Sequence, residues 1–393
     1  LTTSEQLIVE TNTRLKGVVL KTAAEIAAIR RVQSGLFSFD AHTGGGLPMG
    51  VPISIQGTKS VGKSAFCYYL CGKAEQQYGG SGLLVQTEGG FVPQWAQRCG
   101  LPQCDYVPAI MADTEQHTLG DTLELILNIL RKSQPTWILL DSLSMLAADP
   151  KKAIMDSTSR GERAIPNNKF FRNLMAAMNN EWPPLFLYIE HLHPVMGQPG
   201  QMVTGGVTKE YANVLEVRLR LDADSSDKKQ IESDLGVEEL PIRQRVQWEI
   251  KKSKVSPRFG RGVYTLDLRD TDCSIGGRIS DFDEMLVRAI NRGHVIKSGA
   301  WYKIGDAKYQ GLDNLRAAIT DDALRSISEQ PRQESGTEDG DGNRIKAKAG
   351  FRLRAEEGGH DEGDVPDRAQ GDGKKVDKSA KRMAGKDKGR GSK

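Results

Sequence analysis

Four short apolar runs punctuate the first half of the chain: Pro52-Ile53-Ser54-Ile55-Gln56, Leu83-Leu84-Val85-Gln86, Trp137-Ile138-Leu139-Leu140 and Leu185-Phe186-Leu187-Tyr188-Ile189. Runs of this kind, without polar alternation, predict strands buried on both faces, as in a parallel sheet. The stretches between them carry apolar residues at helical spacing, over 65–77 and over 119–131. Strand and helix in alternation predict an α/β fold. After residue 210 the pattern changes: residues 214–221, 245–250 and 263–268 alternate apolar and polar. Such segments predict half-buried strands, added antiparallel to the sheet. A helix is predicted over 282–292, a hairpin around Trp301-Tyr302-Lys303-Ile304, and a single helix over 312–325. Ahead of the first strand, a helix at 5–11, a strand at 18–20 and a helix at 23–31 make a lead-in.

The expected organisation is a lead-in (1–34), a core (35–275), a small α+β unit (276–325) and a tail (326–393). In the tail the hydrophobic pattern stops, and Gly, Asp, Glu, Lys and Arg dominate, which predicts disorder. Residues 351–373 hold seven acids and three Arg, and residues 374–393 nine Lys/Arg and two Asp. A tail split this way reads as a solvated solubility segment or as a weak tether for DNA or a partner.

A formal net charge of +3 excludes a global basic field, so any nucleic-acid contact has to come from local patches. Five cysteines without paired spacing point to reduced thiols and a cytoplasmic setting. No apolar run reaches the roughly 18 residues of a membrane span. The first residues, from Leu1, are not an export signal, and without a leading Met the sequence reads as a truncated one.

The most specific motif is Gly57-Thr58-Lys59-Ser60-Val61-Gly62-Lys63-Ser64, a full G-x-x-x-x-G-K-[ST] between a predicted strand and a predicted helix. Gly57 and Gly62 let the backbone wrap phosphates with its amides at a helix N-terminus. Lys63 adds a charge for the outer phosphates, and Ser64 a hydroxyl for Mg²⁺. Asp141, at the carboxyl end of a buried strand, is the expected second Mg²⁺ partner; its alternative reading is a helix N-cap. Glu88, just beyond another strand end, is placed to activate water or is an exposed loop acid. His191, after the fourth run, is placed to sense a terminal phosphate or is structural. ATP and Mg²⁺ are the cofactors these residues suit.

Several motifs together resemble the RecA recombinases: Gly44-Gly45-Gly46-Leu47-Pro48-Met49-Gly50, Thr87-Glu88, Leu140-Asp141-Ser142, Thr204-Gly205-Gly206 and Ser298-Gly299-Ala300-Trp301-Tyr302, with Gly305 and Gln310-Gly311 beyond. The resemblance spans about residues 34–325 and implies a RecA-like P-loop ATPase core. His191 stands where bacterial RecA has Gln and in this resembles the T4-type phage recombinases, so a phage RecA/UvsX-like member of the family is expected. What the resemblance implies is an ATP- and single-stranded-DNA-dependent recombinase that forms helical filaments, pairs homologous double-stranded DNA and exchanges strands. A single-strand-binding protein or mediator would be a further partner, and the setting the cytoplasm of a bacterium or an infected host. It implies that Glu88 activates water, His191 links the γ-phosphate to the second DNA loop, and Trp95 stacks on adenine, though Trp95 also reads as a core residue. Lys252 and Lys254 match a pair that reaches the neighbouring subunit's ATP; they also read as a solvated strand end. Two segments match the family's DNA loops: 149–169, with Arg160, Arg163 and Lys169 (Arg172 lies just beyond), and 192–208, with Met196, Gly205 and Gly206. Gly/Pro-rich loops of this kind also read as plain connectors.

There are departures. Val92 stands where an acid reads adenine, Glu190 replaces an Asn and is expected to add charge near the γ-phosphate, and the lead-in, the candidate polymerisation segment, is short. Competing functions are a hexameric RecA-core helicase, a KaiC-like ATPase, and a mediator scaffold that binds ATP and DNA without hydrolysis.

Overall fold

The computed structural model describes residues 3–14, 29–88, 90–101, 110–111, 119–145, 164–178, 182–194, 201–203, 212–233, 236–256, 259–271 and 274–332. All of them fall within one compact unit, Leu1–Gly342. The chain opens with helix α1 (Thr3–Arg14), longer than expected at both ends. The expected strand at 18–20 lies outside the described residues. The helix expected to reach residue 31 does not: Arg31 starts a short strand, β1 (Arg31–Val32), antiparallel to β2 (Leu47–Pro48). The Arg31 guanidinium holds it there by donating to the carbonyls of Thr43 (2.9 Å) and Gly46 (3.0 Å). Between them lies α2 (Phe37–His42).

The four apolar runs become β3 (Pro52–Gly57), β4 (Gly82–Gln86), β6 (Trp137–Asp141) and β7 (Leu185–Pro194), with β5 (Ile110–Met111) at the sheet edge. They are joined in a parallel sheet in the order β3-β7-β6-β4-β5. Helix α3 (Lys63–Tyr78) follows β3 and buries Phe66, Cys67, Leu70, Cys71 and Ala74 against one face. The short α4 (Pro93–Arg98) starts on Pro93, whose missing N–H costs nothing in a first turn. Its end meets α3 closely: a Cβ on Gly72 would lie 1.8 Å from the Gly100 carbonyl. The other face of the sheet is covered by α5 (Leu119–Lys132), whose Leu123, Ile126, Leu127 and Leu130 form one buried stripe, and by α6 (Ala164–Met178). Thus residues 164–169, expected in a DNA loop, are helical.

Strand β7 runs past its expected end at His191 to Pro194. Its last residues, Leu192–Pro194, pair antiparallel with β8 (Gln201–Val203). Two long strands, β9 (Leu215–Ser233) and β10 (Gly236–Ser253), extend the sheet beside β3, followed by β11 (Arg261–Asp267) and β12 (Ile279–Ser280). β9 is parallel to β3, against expectation, because the chain re-enters at the lower edge, where Leu215 pairs with Ile53. Of these four strands, β10, β11 and β12 are the antiparallel additions.

The C-terminal elements are α7 (Phe282–Asn291), a three-stranded sheet of β13 (Ile296–Ser298), β14 (Trp301–Ile304) and β15 (Ala307–Gln310), and two helices, α8 (Leu312–Ala318) and α9 (Asp321–Glu329). They share a core of Phe282, Met285, Leu286, Ala289, Val295, Tyr302, Leu315 and Leu324. The single helix expected over 312–325 is two. Thr320 leaves the helical conformation and its hydroxyl accepts from the Ala323 amide (3.2 Å), starting a new helix with Asp321 and Asp322 in the favoured first turn. That helix runs to Glu329, beyond the expected start of the tail. Residues 333–393, where the split-charge tail was read, lie outside the described residues.

Candidate nucleotide and DNA site

The loop after β3 rises from the middle of the sheet. Gly57 is needed there for space: a Cβ would lie 2.7 Å from Val61 Cγ1 and 3.0 Å from the Leu219 carbonyl. Gly62 takes a left-handed conformation (φ 89°), as does Ser60 (φ 59°), and the loop curls back on itself before α3 begins. Thr58, Lys59 and Ser60 are exposed along its rim, while Val61 is buried. Lys63 is buried at the start of α3, and its ammonium donates to the Thr58 carbonyl (2.7 Å) across the loop. Burial pulls its pKa down, and Glu88 and Asp141 work against that by favouring the charge.

Ser64 Oγ donates to Asp141 Oδ2 at 2.7 Å. Asp141 is buried at the end of β6; burial pushes its carboxyl up to about 6, with the Ser64 hydrogen bond lowering it and the charge of Glu88 adding to the rise. A hydroxyl and a carboxylate side by side are hard oxygen donors suited to Mg²⁺. A carboxyl that gives up its proton reluctantly would be relieved by a cation.

Glu88 Oε1 accepts from the Ser142 hydroxyl and pairs with His191 Nε2. Burial raises the Glu88 pKa, but those two hydrogen bonds and the charges of His191 and Lys63 outweigh it and hold the carboxyl below its usual value. Ser142 is fixed by Thr87, whose hydroxyl accepts from the Ser142 amide (2.9 Å) and donates to its carbonyl (2.8 Å). The His191 amide donates to Ser144 Oγ (3.0 Å). Ser142, Ser144 and Thr87 were not expected to take part; the signal was the hydroxyls bordering each acid, Thr87-Glu88 and Asp141-Ser142.

The sheet therefore brings Lys63, Ser64, Asp141, Glu88 and His191 to one edge. A model of the RecA N-terminal domain family matches residues 8–266, well over half of the chain. The chain belongs to the RecA family. Protein RecA of Chloroflexus aggregans is 29% identical over 318 residues, 77% of this chain and 83% of that protein. Protein RecA of Paracoccus denitrificans is 26% identical over 349 residues, 85% and 90% of the two chains.

Other positions in this RecA-family chain fall apart from that edge. Trp95 sits on α4, half-buried, with its ring packed on the main core cluster. Lys252 and Lys254 stand at the end of β10 next to Ser253, which pairs with Leu215; the P-loop residue Gly57 pairs with Leu219, four residues up the same strand. At about 3.3 Å per residue, the two lysines begin roughly 13 Å down the sheet from their own loop. Glu190 is a correction. Alternation along β7 turns it to the opposite face from His191, where it is buried and accepts from Ser54 Oγ (2.5 Å) and Gln56 Nε2 (3.5 Å), away from Glu88 and Lys63. His191 is likewise within β7, not at its end. Of the DNA candidates, Arg172 is exposed on α6 and Lys169 lies on the same helix. Arg160, Arg163, Met196, Gly205 and Gly206 lie outside the described residues. Among the described residues, no helix is long and apolar enough to cross a membrane.

Proposed function

We propose that this chain is an ATP- and single-stranded-DNA-dependent recombinase that assembles on DNA, hydrolyses ATP, and pairs and exchanges homologous strands. The observation that carries the reading is the convergence of Lys63, the Ser64–Asp141 pair and the Glu88–Ser142–His191 cluster around one phosphate-sized loop. The amides of residues 57–64 cradle the phosphates of ATP, and Lys63 neutralises the outer ones. Ser64 and Asp141 would hold Mg²⁺, which supplies charge neutralisation for the phosphates when bound. Glu88, steered by Ser142, accepts the proton of the attacking water; its low pKa makes it a weak base that relies on position more than basicity.

Trp95 offers its remaining face to the base. His191 faces the phosphate site from a strand whose last residues open the 192–208 segment, which supports a role in linking nucleotide to DNA. Arg160, Arg163, Lys169 and Arg172 suit phosphate contacts, and Met196, Gly205 and Gly206 a close approach to unstacked bases. Lys252 and Lys254, remote from their own loop, are assigned to the ATP of the adjoining copy, so that complete sites form only on assembly, within a cytoplasmic filament. A mediator or single-strand-binding protein would act on that filament.

The test combines ATPase and joint-molecule assays with electron microscopy on single-stranded DNA and ATP. DNA-stimulated turnover, helical filaments and joint molecules are expected, all absent with Lys63→Ala. Closed rings that unwind duplex without forming joint molecules would assign the chain to the helicase class; DNA binding without turnover would make it a scaffold.

A further inference from the structure

The face of β7 opposite His191 carries a chain of polar groups that the phosphate chemistry does not use. Glu190 accepts from Ser54 Oγ. Tyr188 is the register partner of Ser54 on the neighbouring strand. The Tyr188 hydroxyl donates to Asn213 Oδ1 at 2.6 Å, and Asn213 Nδ2 donates to Glu216 Oε1 at 3.0 Å. Glu190, Ser54, Tyr188 and Asn213 are all almost fully buried. Polar groups kept so dry are costly unless satisfied, and here Ser54 is paired with Glu190, and Tyr188 with Asn213.

The placement of this column matters. Glu190 is level with Gln56, one residue below the P-loop edge, and Tyr188 with Ser54. Asn213 lies two residues before Leu215, which is level with Ile53 near the opposite edge. Residues 190–194 form the stem by which the chain enters the 195–211 segment, and residues 212–214 the stem by which it leaves. Strand β7 and the Tyr188–Asn213 bond together join the two stems across the height of the sheet. The second stem is gripped again by the backbone: the Val214 amide donates to the Pro52 carbonyl (3.2 Å), and its carbonyl accepts from the Lys254 amide (2.9 Å).

We propose that Tyr188 and Asn213 are positioning residues that couple the nucleotide site to the far stem of the 195–211 segment. This rests on the reading of residues 192–208 as a DNA contact under ATP control. His191 and Glu190 are neighbours on one strand, so a nucleotide-dependent shift of β7 at His191 displaces Glu190 and Tyr188 on the other face. The Tyr188–Asn213 bond carries that displacement to residues 212–214. Both ends of the segment then respond to the nucleotide, where a link through His191 alone would move only one. Spatial continuity is not coupling, so the bond has to be tested as an energetic link.

The experiment measures single-stranded oligonucleotide affinity by fluorescence anisotropy at fixed salt, with a non-hydrolysable ATP analogue and with ADP, in the full chain and in Tyr188→Phe, Asn213→Ala and the double variant. Melting temperature and nucleotide affinity without DNA are recorded for each. Tyr188→Phe keeps the ring and removes only the hydroxyl; it is expected to cut the ratio of ATP-state to ADP-state DNA affinity by roughly threefold or more, the scale of one hydrogen bond. Nucleotide affinity without DNA should stay within about twofold. Asn213→Ala should do the same, and the double variant should lose no more than either alone, because both remove one link. A lowered melting temperature with an unchanged ratio in both single variants would show the column to be packing only and overturn the proposal. Additive losses would overturn the shared link. A parent chain with no ATP-to-ADP difference would remove the function proposed above and this inference with it, an outcome distinct from a parent that responds and variants that respond equally.

Discussion

Asp141 and Asp281 are a matched pair that end in different places. Both carboxyls are buried, and burial pushes each up to about 6. Asp281 precedes α7 and is well matched: it accepts from the Phe37 amide at 2.5 Å and lies 3.6 Å from the Arg325 guanidinium, which also donates to the Gly35 carbonyl. It pins the start of α2 to the C-terminal elements, helped by Arg288, whose guanidinium sits 4.1 Å from the centre of the Phe37 ring. Asp141, by contrast, receives one side-chain hydrogen bond among the described residues, from Ser64. The charges of Glu88 and Lys63 also act on it. A perturbed carboxyl is thus no marker of chemistry by itself. What separates the two is whether the protein has already supplied the partners.

The sharpest way to break this comparison is to neutralise each acid in turn. Asp141→Asn should reduce Mg²⁺-dependent ATP turnover by about 10²-fold or more, since the cation loses its charged partner. Asp281→Asn should leave turnover within about twofold. Steady-state ATPase assays decide it, and equal losses would mean that the C-terminal contact is part of the catalytic machinery. Next in size is Glu88→Gln, which keeps the shape of the Ser142 contact but cannot take a proton. Hydrolysis should slow by about 10²-fold while nucleotide and DNA binding persist. Parallel loss of binding and turnover would make Glu88 structural.

The smallest effect concerns stability. The Asp281 pKa is raised on folding from about 3.9 in an unfolded chain. Its contribution is therefore fully present below pH 3.9 and is lost as the pH rises through about 6. That loss is at most about 3 kcal/mol for a shift of two units. Asp281→Asn should accordingly gain stability relative to the parent between pH 4 and 6 and stay level above that. Urea unfolding across this range checks it; a difference that does not change with pH would mean that burial is not what shifts the group.

How far the sequence could be read depended on whether the signal was local. The loop at 57–64 is contiguous, and each residue has a chemical reason to be there, so both its place and its partners Asp141 and Glu88 could be named. The apolar runs marked β3, β4, β6 and β7 because burial on both faces leaves a composition trace. The direction of β9 left none: Leu215 to Leu221 alternates in the same way whether it runs with β3 or against it, and pairing with Ile53 settles that only across 160 residues of chain. The side of β7 that Glu190 faces was legible in principle, since alternation puts it opposite His191, but the resemblance suggested a place near the γ-phosphate. The break at Thr320 was legible too, as a cap residue followed by two acids, and was masked by the apolar spacing that continues through Leu324 and Ile327.

The separation of Lys252 and Lys254 from their own P-loop has a consequence for counting. In the assembly proposed, each working site takes its loop from one copy and its lysines from the next, a head-to-tail contact that either closes into a ring or stays open. A ring of n copies has n working sites; an open run has n − 1, with one bare loop at one end and one idle lysine pair at the other. Turnover per copy would therefore climb with run length in an open filament and be constant in a ring. The two ends of a filament would also be chemically unlike, so growth and loss need not be balanced between them. A direction along DNA would then be set by which end of this sheet carries the loop, before any base is read.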